Sequence, residues 1–267
     1  MTTLKSVILF LSLVLITSCN TKDKNKTETI TTKPITTTPI VTLSKAQKLL
    51  NQTILAHGGD LYNTAHYAFS FRGIDYQFKN NGTDYTYIKS YKKKSDSIKD
   101  VLNNNVFTRT INNKPVVLSD KDIAIGTGAI NSVIYFATLP YKLNDKAVNS
   151  TYVESLTIKD QNYDAIKVTF NEAGGGQDHD DQFYYWINID TKKIDYLAYS
   201  YNVNDGGVRF RSAYSPRVID GITFQDYINY EAKVDTPLKD LPVLFEAGQL
   251  KELSKIKTEN IINLNKN

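Results

Sequence analysis

The sequence predicts an α+β protein built around a large antiparallel sheet with one apolar face. Tyrosine is frequent, with 18 residues against 11 phenylalanines and one tryptophan. Aromatic residues of this kind favour the half-buried surface of a sheet. From residue 66 onward, apolar side chains also repeat with a period of two, which is typical of strands, whereas the segment before them has the period of a helix.

The first 18 residues are typical of a signal peptide. Lys5 precedes an apolar run, 6–16, that is too short to cross a bilayer. Residues 16–19, Ile-Thr-Ser-Cys, resemble the bacterial lipobox, in which the cysteine thiol receives a diacylglyceryl group and becomes the first residue after cleavage. We therefore expect Cys19 to be lipidated and to hold the protein at a membrane, with about 0.8 kcal/mol contributed by each buried methylene. The alternative is a cleaved signal with an incidental cysteine.

Lipidation would place the protein in the cell envelope, on the periplasmic or surface side of a bacterial outer membrane. Residues 19–43 are expected to be a disordered tether, because they are rich in threonine and show no apolar periodicity. Such a tether spans about 26 Å when flexible and about 75 Å when extended. Since Cys19 is the single cysteine, no intrachain disulfide is expected.

The charge of the chain argues against a nucleic-acid partner. The net charge is +4 at pH 7 and is spread along 267 residues. The one dense basic run, 92–94, falls between strand-like segments, where a solvated hairpin end accounts for it. We therefore expect no nucleic-acid binding.

A single domain is predicted at 44–258, followed by a frayed tail at 259–267. Ser44 and Gln47 have the capping-box pattern of a helix start, and Gly58 is suited to the helix end. Strands are predicted at 67–71, 85–91, 106–111, 115–118, 152–158, 163–170, 182–189, 194–201, 208–214 and 222–231. Part of 119–137 is predicted to be helical, and a short helix is predicted at 245–256.

Several short motifs stand in a characteristic order along residues 44–235. They are His-Gly-Gly at 57–59, Ile-Asn-Ser-Val-Ile-Tyr-Phe at 130–136, Leu-Pro-Tyr-Lys-Leu at 139–143, Asp-His-Asp-Asp at 178–181 with Tyr-Tyr-Trp at 184–186, and Asp-Gly-Ile-Thr-Phe at 220–224. In this order, and with these elements, the chain resembles the LolA/LolB-like lipoprotein-carrier fold and, within it, an uncharacterised lipoprotein family of Bacteroidota.

The resemblance implies a strongly curved antiparallel half-barrel sheet with helices on its concave side, over an apolar cavity that receives acyl chains in carriers. We therefore expect a membrane-anchored protein that binds a hydrophobic or amphipathic ligand, a lipid or an acyl chain. The candidate ligand-binding residues are Tyr67, Phe69, Phe71, Tyr185, Trp186, Arg209 and Arg211.

The two arginines of this set share one face of a strand, because strand side chains alternate. On a concave face Arg209 and Arg211 could clamp a carboxylate or phosphate by bidentate hydrogen bonds. On a convex face they would be solvated.

A glycine-rich segment leads into an acidic cluster that could hold a metal. Asp178, His179 and Asp181 are candidate ligands for a divalent ion, since carboxylates and imidazole bind such ions. The spacing matches neither an EF-hand nor a zincin motif. The alternative is a solvated strand connection in which these side chains organise the turn. No other cofactor is expected.

His57 falls in the last turn of the first helix, where the helix dipole would favour its protonated form. It could act as a base with Asp60 nearby, or cap the helix and pack under the sheet.

Catalysis finds little support in the sequence. There is no Gly-x-Ser-x-Gly elbow and no phosphate loop. The sequence therefore favours a binding protein over an enzyme. Two alternatives stay open: a metal-dependent hydrolase or lyase that uses residues 178–181, and a protein-interaction module of the cell envelope.

Overall fold

Helix α1, Lys45–His57, begins at the predicted capping box in the computed structural model, which describes residues 42–175, 181–202 and 205–266. The Ser44 hydroxyl accepts a hydrogen bond from the Gln47 amide, and the Gln47 side chain accepts one from the Ser44 amide. Gly58, with φ of 147°, ends the helix, because residues with a Cβ rarely adopt that angle.

The first of two antiparallel sheets is a meander, and a strand at 259–263 pairs with one of its edges. Its strand order is β14-β1-β2-β3-β4-β5-β6. The strands are β1 His66–Phe71, β2 Ile74–Asn81, β3 Asp84–Lys93, β4 Asp96–Asn103, β5 Val106–Ile111, β6 Lys114–Pro115 and β14 Glu259–Asn263.

The second sheet has the order β13-β12-β11-β10-β9-β8-β7. Its strands are β7 Val148–Ile158, β8 Gln161–Phe170, β9 Gln182–Asn188, β10 Ile194–Tyr201, β11 Gly207–Ile219, β12 Ile222–Ala232 and β13 Lys251–Ile256. Two short helices accompany it, α3 Glu172–Gly175 and α4 Leu241–Glu246. Strand β13 leads directly into β14, so the two sheets are joined where these edge strands meet.

The predicted fold class is confirmed: an α+β protein with a strongly curved antiparallel half-barrel, with α1 and the helix at 120–137 on its concave side. Alternate residues of a strand face different cores. Tyr185 of β9 belongs to the concave cluster with Leu49 and Leu50 of α1. Its neighbour Trp186 belongs to a cluster on the opposite face, which α4 covers through Leu241.

Helix α2, Asp120–Ala137, also lies on the concave side. The sequence predicted a helix in part of this segment despite Gly126 and Gly128, and the helix is continuous. Ile130 and Ile134 are fully buried and pack into the aromatic cluster of the first sheet. Gly126 lies so close to Phe107 of β5 that a Cβ would stand 2.3 Å from the ring. Packing against the first sheet therefore outweighs the low helix propensity of glycine.

Two predictions for the end of the chain are wrong. The segment expected to be a helix at 245–256 contains the end of α4 and then strand β13, which pairs with β12. The expected frayed tail contains strand β14, in which Asn263 pairs with Tyr67 of β1. Both strands are set by partners distant in sequence, and local propensity does not report such partners.

Two further strands, β2 and β4, were not predicted from the sequence. In β4 the inward positions are Ile98, Asp100 and Leu102, so a carboxylate interrupts the apolar alternation. Asp100 is fully buried. Arg109 of β5 balances its charge by donating two hydrogen bonds to it, at 2.5 and 2.8 Å.

The described residues form part of one compact unit, Thr42–Asn267. Among them, the helices are all too short or too polar to cross a membrane.

Candidate ligand-binding cavity

A cavity of about 870 Å³ lies between helix α2 and the second sheet. Protein pockets that hold small ligands have volumes of about 300–1,000 Å³, so the size suits a ligand. The lining is mainly apolar, with aromatic and aliphatic side chains from both walls. Apolar members are Ile123, Val133, Phe136, Phe170, Phe183 and Ile256.

Helix α2 forms one wall because its two sides meet different partners. Ile130 and Ile134 fix one side to the first sheet. The other side turns Ala124, Thr127 and Asn131 toward the cavity. Ser119 caps the helix start by accepting a hydrogen bond from the Asp122 amide.

A cluster of aromatic rings closes one part of the cavity. Tyr135, Phe136, Phe170, Phe183 and Tyr199 contact one another with ring centroids 5.3 to 6.4 Å apart. Aromatic pairs at such distances stabilise a structure by about 0.5–1.5 kcal/mol beyond the area they bury.

The hydroxyls of Tyr135 and Tyr185 lie 2.5 Å apart at this wall. Burial raises the pKa of both hydroxyls, so both stay protonated and neutral at physiological pH. The wall therefore offers no anionic group from these two residues.

Arg211 on β11 is the most deeply buried charged group of the cavity, with 7% of the residue exposed. Its Nη2 donates to the Tyr199 hydroxyl at 2.9 Å, and its Nε donates to Asn229 Oδ1 at 3.4 Å. The guanidinium lies over the ring of Phe136, 3.8 Å from its centroid. A cation–π contact and two neutral acceptors therefore surround this charge.

The other predicted ligand-binding residues are divided among several places. Phe71 lines the cavity, whereas Tyr67 and Phe69 are buried in the aromatic cluster of the first sheet. Tyr185 is buried in the concave cluster, and Trp186 lies on the opposite face of the sheet.

Arg209 is on the same face as Arg211, as its strand position requires, and donates to the Tyr201 hydroxyl at 2.6 Å. Tyr201 lines the cavity, so Arg209 adjoins it. Whether any of the predicted residues binds a ligand stays a prediction.

His57 is fully buried, and the structure corrects the expectation for its charge. Its Nε2 accepts a hydrogen bond from the Ile194 amide at 3.2 Å. Burial lowers the pKa of His57 to about 3, with a contribution from the positive charge of Lys193. Desolvation therefore outweighs the helix dipole, and the imidazole is neutral.

The predicted metal ligands fall in two groups. Asp178 and His179 lie outside the described residues, as does Asp180. Asp181 is described and lines the cavity. Within the described segments there is no cluster of three or more His, Cys, Asp or Glu residues that could hold a metal ion.

The sequence did not identify several residues of the cavity, among them Tyr199, Tyr227 and Asn229. They occupy alternate positions of β10 and β12, so their spacing did place them on single strand faces. The sequence did not reveal which face was concave.

The fold and the cavity define an α+β protein with a ligand-sized space beneath a curved antiparallel sheet. The chain belongs to DUF6503, a family of unknown function, whose model matches residues 5–258. No curated protein matches the chain.

Three solved structures are similar at low identity. A LolA superfamily protein from Nitrosomonas europaea is 8% identical with a TM-score of 0.49, over 82% of this chain and 93% of that one. A structure named as an outer membrane lipoprotein-sorting protein domain, from Vibrio parahaemolyticus, is 5% identical with a TM-score of 0.45, over 82% and 92%. A DUF1329 family protein from Desulfovibrio piger is 10% identical with a TM-score of 0.38, over 83% and 94%. All three TM-scores are below 0.5.

Proposed function

We propose that this protein is a membrane-anchored lipoprotein that holds a hydrophobic or amphipathic ligand in the cavity beneath its curved sheet. The cavity of about 870 Å³ carries the proposal, because its lining is mainly apolar and its size is that of a ligand site. Apolar surface facing water is unfavourable by about 25 cal/mol per Å², so a lipid tail would be stabilised there.

The lipid anchor is the second part of the proposal. Cys19 follows a short apolar run and lies outside the described residues. An acylated Cys19 would keep the folded domain in the cell envelope, at the end of the threonine-rich tether. A protein anchored in this way receives, holds or hands over its ligand near one membrane and does not carry it across the periplasm.

The test for a ligand is native mass spectrometry of the full chain carrying Cys19→Ser, which removes the site of acylation. We expect co-purified lipid-like ligand, or uptake of an added fluorescent fatty-acid probe. A protein that is always recovered empty and takes up no probe would contradict the proposal.

A matched pair of tryptophan substitutions on α2 locates the ligand. Thr127 lines the cavity, whereas Ile125, two residues away, is 60% exposed and does not line it. Thr127→Trp should fill part of the cavity and weaken uptake of the probe by about tenfold or more, equal to about 1.4 kcal/mol. Ile125→Trp should leave uptake unchanged. Equal uptake by both variants would place the ligand elsewhere.

A further inference from the structure

We propose that the cavity selects ligands with an anionic head group, a carboxylate or a phosphate monoester on an apolar tail, and that Arg211 is the residue that binds this head. The inference rests on the proposed function, since it concerns the chemistry of the ligand held in the same cavity. It adds the charge of the head group and the place where that head lies.

Two partly buried arginines of this protein are balanced by carboxylates. Arg109 pairs with Asp100, and Arg217 pairs with Asp226. Arg211 is more deeply buried than either, yet forms no ion pair with any carboxylate of the described segments. A buried charge is costly unless an opposite charge or several hydrogen bonds balance it. An anionic ligand would supply that balance.

Arg211 has more hydrogen-bond donors than its protein partners use. A guanidinium has five N–H groups, and Arg211 uses two of them, toward Tyr199 and Asn229. Within the part of the chain that the structure describes, Nη1 has no hydrogen-bond acceptor. The face of the guanidinium is occupied by the ring of Phe136, so the remaining donors lie along its edge. That edge can donate two parallel hydrogen bonds to a carboxylate or phosphate.

Aromatic side chains surround Arg211. The aromatic rings of Phe136 and Tyr199 border it, and the apolar lining continues toward Phe183. A head group at Arg211 would therefore leave its tail against apolar side chains. Two carboxylates, Asp120 and Asp181, also line the cavity. Asp120 is exposed, so water screens its negative charge.

The test compares probes that share one tail and differ in the head: palmitate, hexadecyl phosphate, hexadecanol and hexadecyltrimethylammonium. Each displaces a fluorescent dye from the full chain carrying Cys19→Ser, at mildly alkaline pH and below micelle formation. We expect both anionic probes to bind roughly tenfold or more tightly than hexadecanol, because hydrogen bonds to charged groups are the stronger ones. Hexadecyltrimethylammonium should bind most weakly.

Two outcomes with the unaltered cavity would overturn the inference. One is equal binding of the charged and neutral probes, or a preference for the ammonium. The other is displacement of the dye by inorganic phosphate as effectively as by hexadecyl phosphate, which would assign the site to a free anion. Binding of none of the four probes would instead contradict the proposed function.

Substitution of Arg211 separates recognition of the head from support of the cavity. Arg211→Gln should lower the affinity for both anionic probes to that for hexadecanol, and leave hexadecanol within about twofold. Arg211→Lys keeps the charge and should retain part of the preference, which keeps the test usable if the Gln variant does not fold. Lys255→Gln removes an exposed charge of β13 and is the control. Equal loss of all probes in both Arg211 variants would show a purely structural role and overturn the inference.

Discussion

Arg217 of β11 and Asp226 of β12 form an ion pair at 2.8 Å beside the junction of the two sheets. The same Arg217 Nη2 donates to the carbonyl and the hydroxyl of Thr258, the residue before β14. Asp226 in turn accepts a hydrogen bond from the Thr258 amide at 3.0 Å. These three residues therefore fix the short connection through which the second sheet passes into the first.

Loss of this carboxylate should destabilise the protein strongly. Asp226 is 7% exposed, so Asp226→Ala would leave a partly buried guanidinium without its opposite charge and the Thr258 amide without its acceptor. We expect the free energy of unfolding to fall by about 3 kcal/mol, measured by urea denaturation. The control is Lys251→Ala, which breaks an exposed ion pair with Glu231 and should change stability little. Similar effects of the two substitutions would show that the junction contributes nothing special.

His57 should make stability depend on pH below neutrality. The folded protein keeps His57 neutral until the pH approaches 3, whereas the unfolded chain binds a proton below about 6.5. Between these values the unfolded state binds more protons. The contribution of His57 to the free energy of unfolding is therefore complete above about pH 6.5. It decreases as the pH is lowered, by up to about 1.4 kcal/mol for each pH unit.

The matched variant for this prediction is His57→Gln, whose side-chain oxygen can accept the same hydrogen bond from Ile194. Urea denaturation at about pH 7 and about pH 5 should show a smaller loss of stability in the variant than in the unaltered protein. Carboxylates titrate alike in both proteins, so the difference reports His57. An identical loss in both would contradict the buried neutral imidazole.

Gly126 should not tolerate alanine, although alanine is the better helix former. Its Cβ would lie 2.3 Å from Phe107 Cζ, so α2 would have to move away from β5. We expect a cost of about 1–3 kcal/mol from overpacking, seen as a lower Tm. In a Phe107→Leu background the same substitution should cost less, because the ring is absent. Equal costs in both backgrounds would mean that the close approach is not limiting.

Two adjacent isoleucines test whether β14 is part of the core. Ile261 packs against the aromatic cluster of the first sheet, whereas Ile262 is 47% exposed. Ile261→Ala should lower the free energy of unfolding by about 2 kcal/mol, and Ile262→Ala should lower it by less than about 0.5 kcal/mol. Denaturant unfolding gives both values. If both substitutions changed the free energy of unfolding little and equally, the result would support the frayed tail that the sequence predicted.

The elements that the sequence predicted well are those determined by nearby residues. The start of α1 follows from Ser44 and Gln47, which are three positions apart. In β4, by contrast, the inward carboxylate of Asp100 is balanced by Arg109 on the next strand, and the apolar pattern alone could not show this. Strands β13 and β14 depend on β12 and β1, and the partner of Tyr67 is Asn263. No local pattern carries that pairing.

For the candidate site, too, the sequence predicted what depends on nearby residues. Strand alternation put Arg209 and Arg211 on one face, and the structure brings Arg211 to the cavity. Trp186 was predicted as a ligand-binding residue together with Tyr185. The two residues are adjacent on β9, so their side chains face opposite sides of the sheet. The missing information was the direction of sheet curvature, which decides which of two equivalent faces encloses a space.

The connection between β13 and β14 also bears on the order in which the molecule can be assembled during synthesis. Chains emerge from the ribosome with the N-terminus first, and β1 must wait for the synthesis of β14 before its outer edge is paired. Until then both β1 and β12 expose backbone groups that other chains could bind. A polypeptide that ends before β13 would therefore have two unpaired strand edges, and we expect it to aggregate or to be degraded.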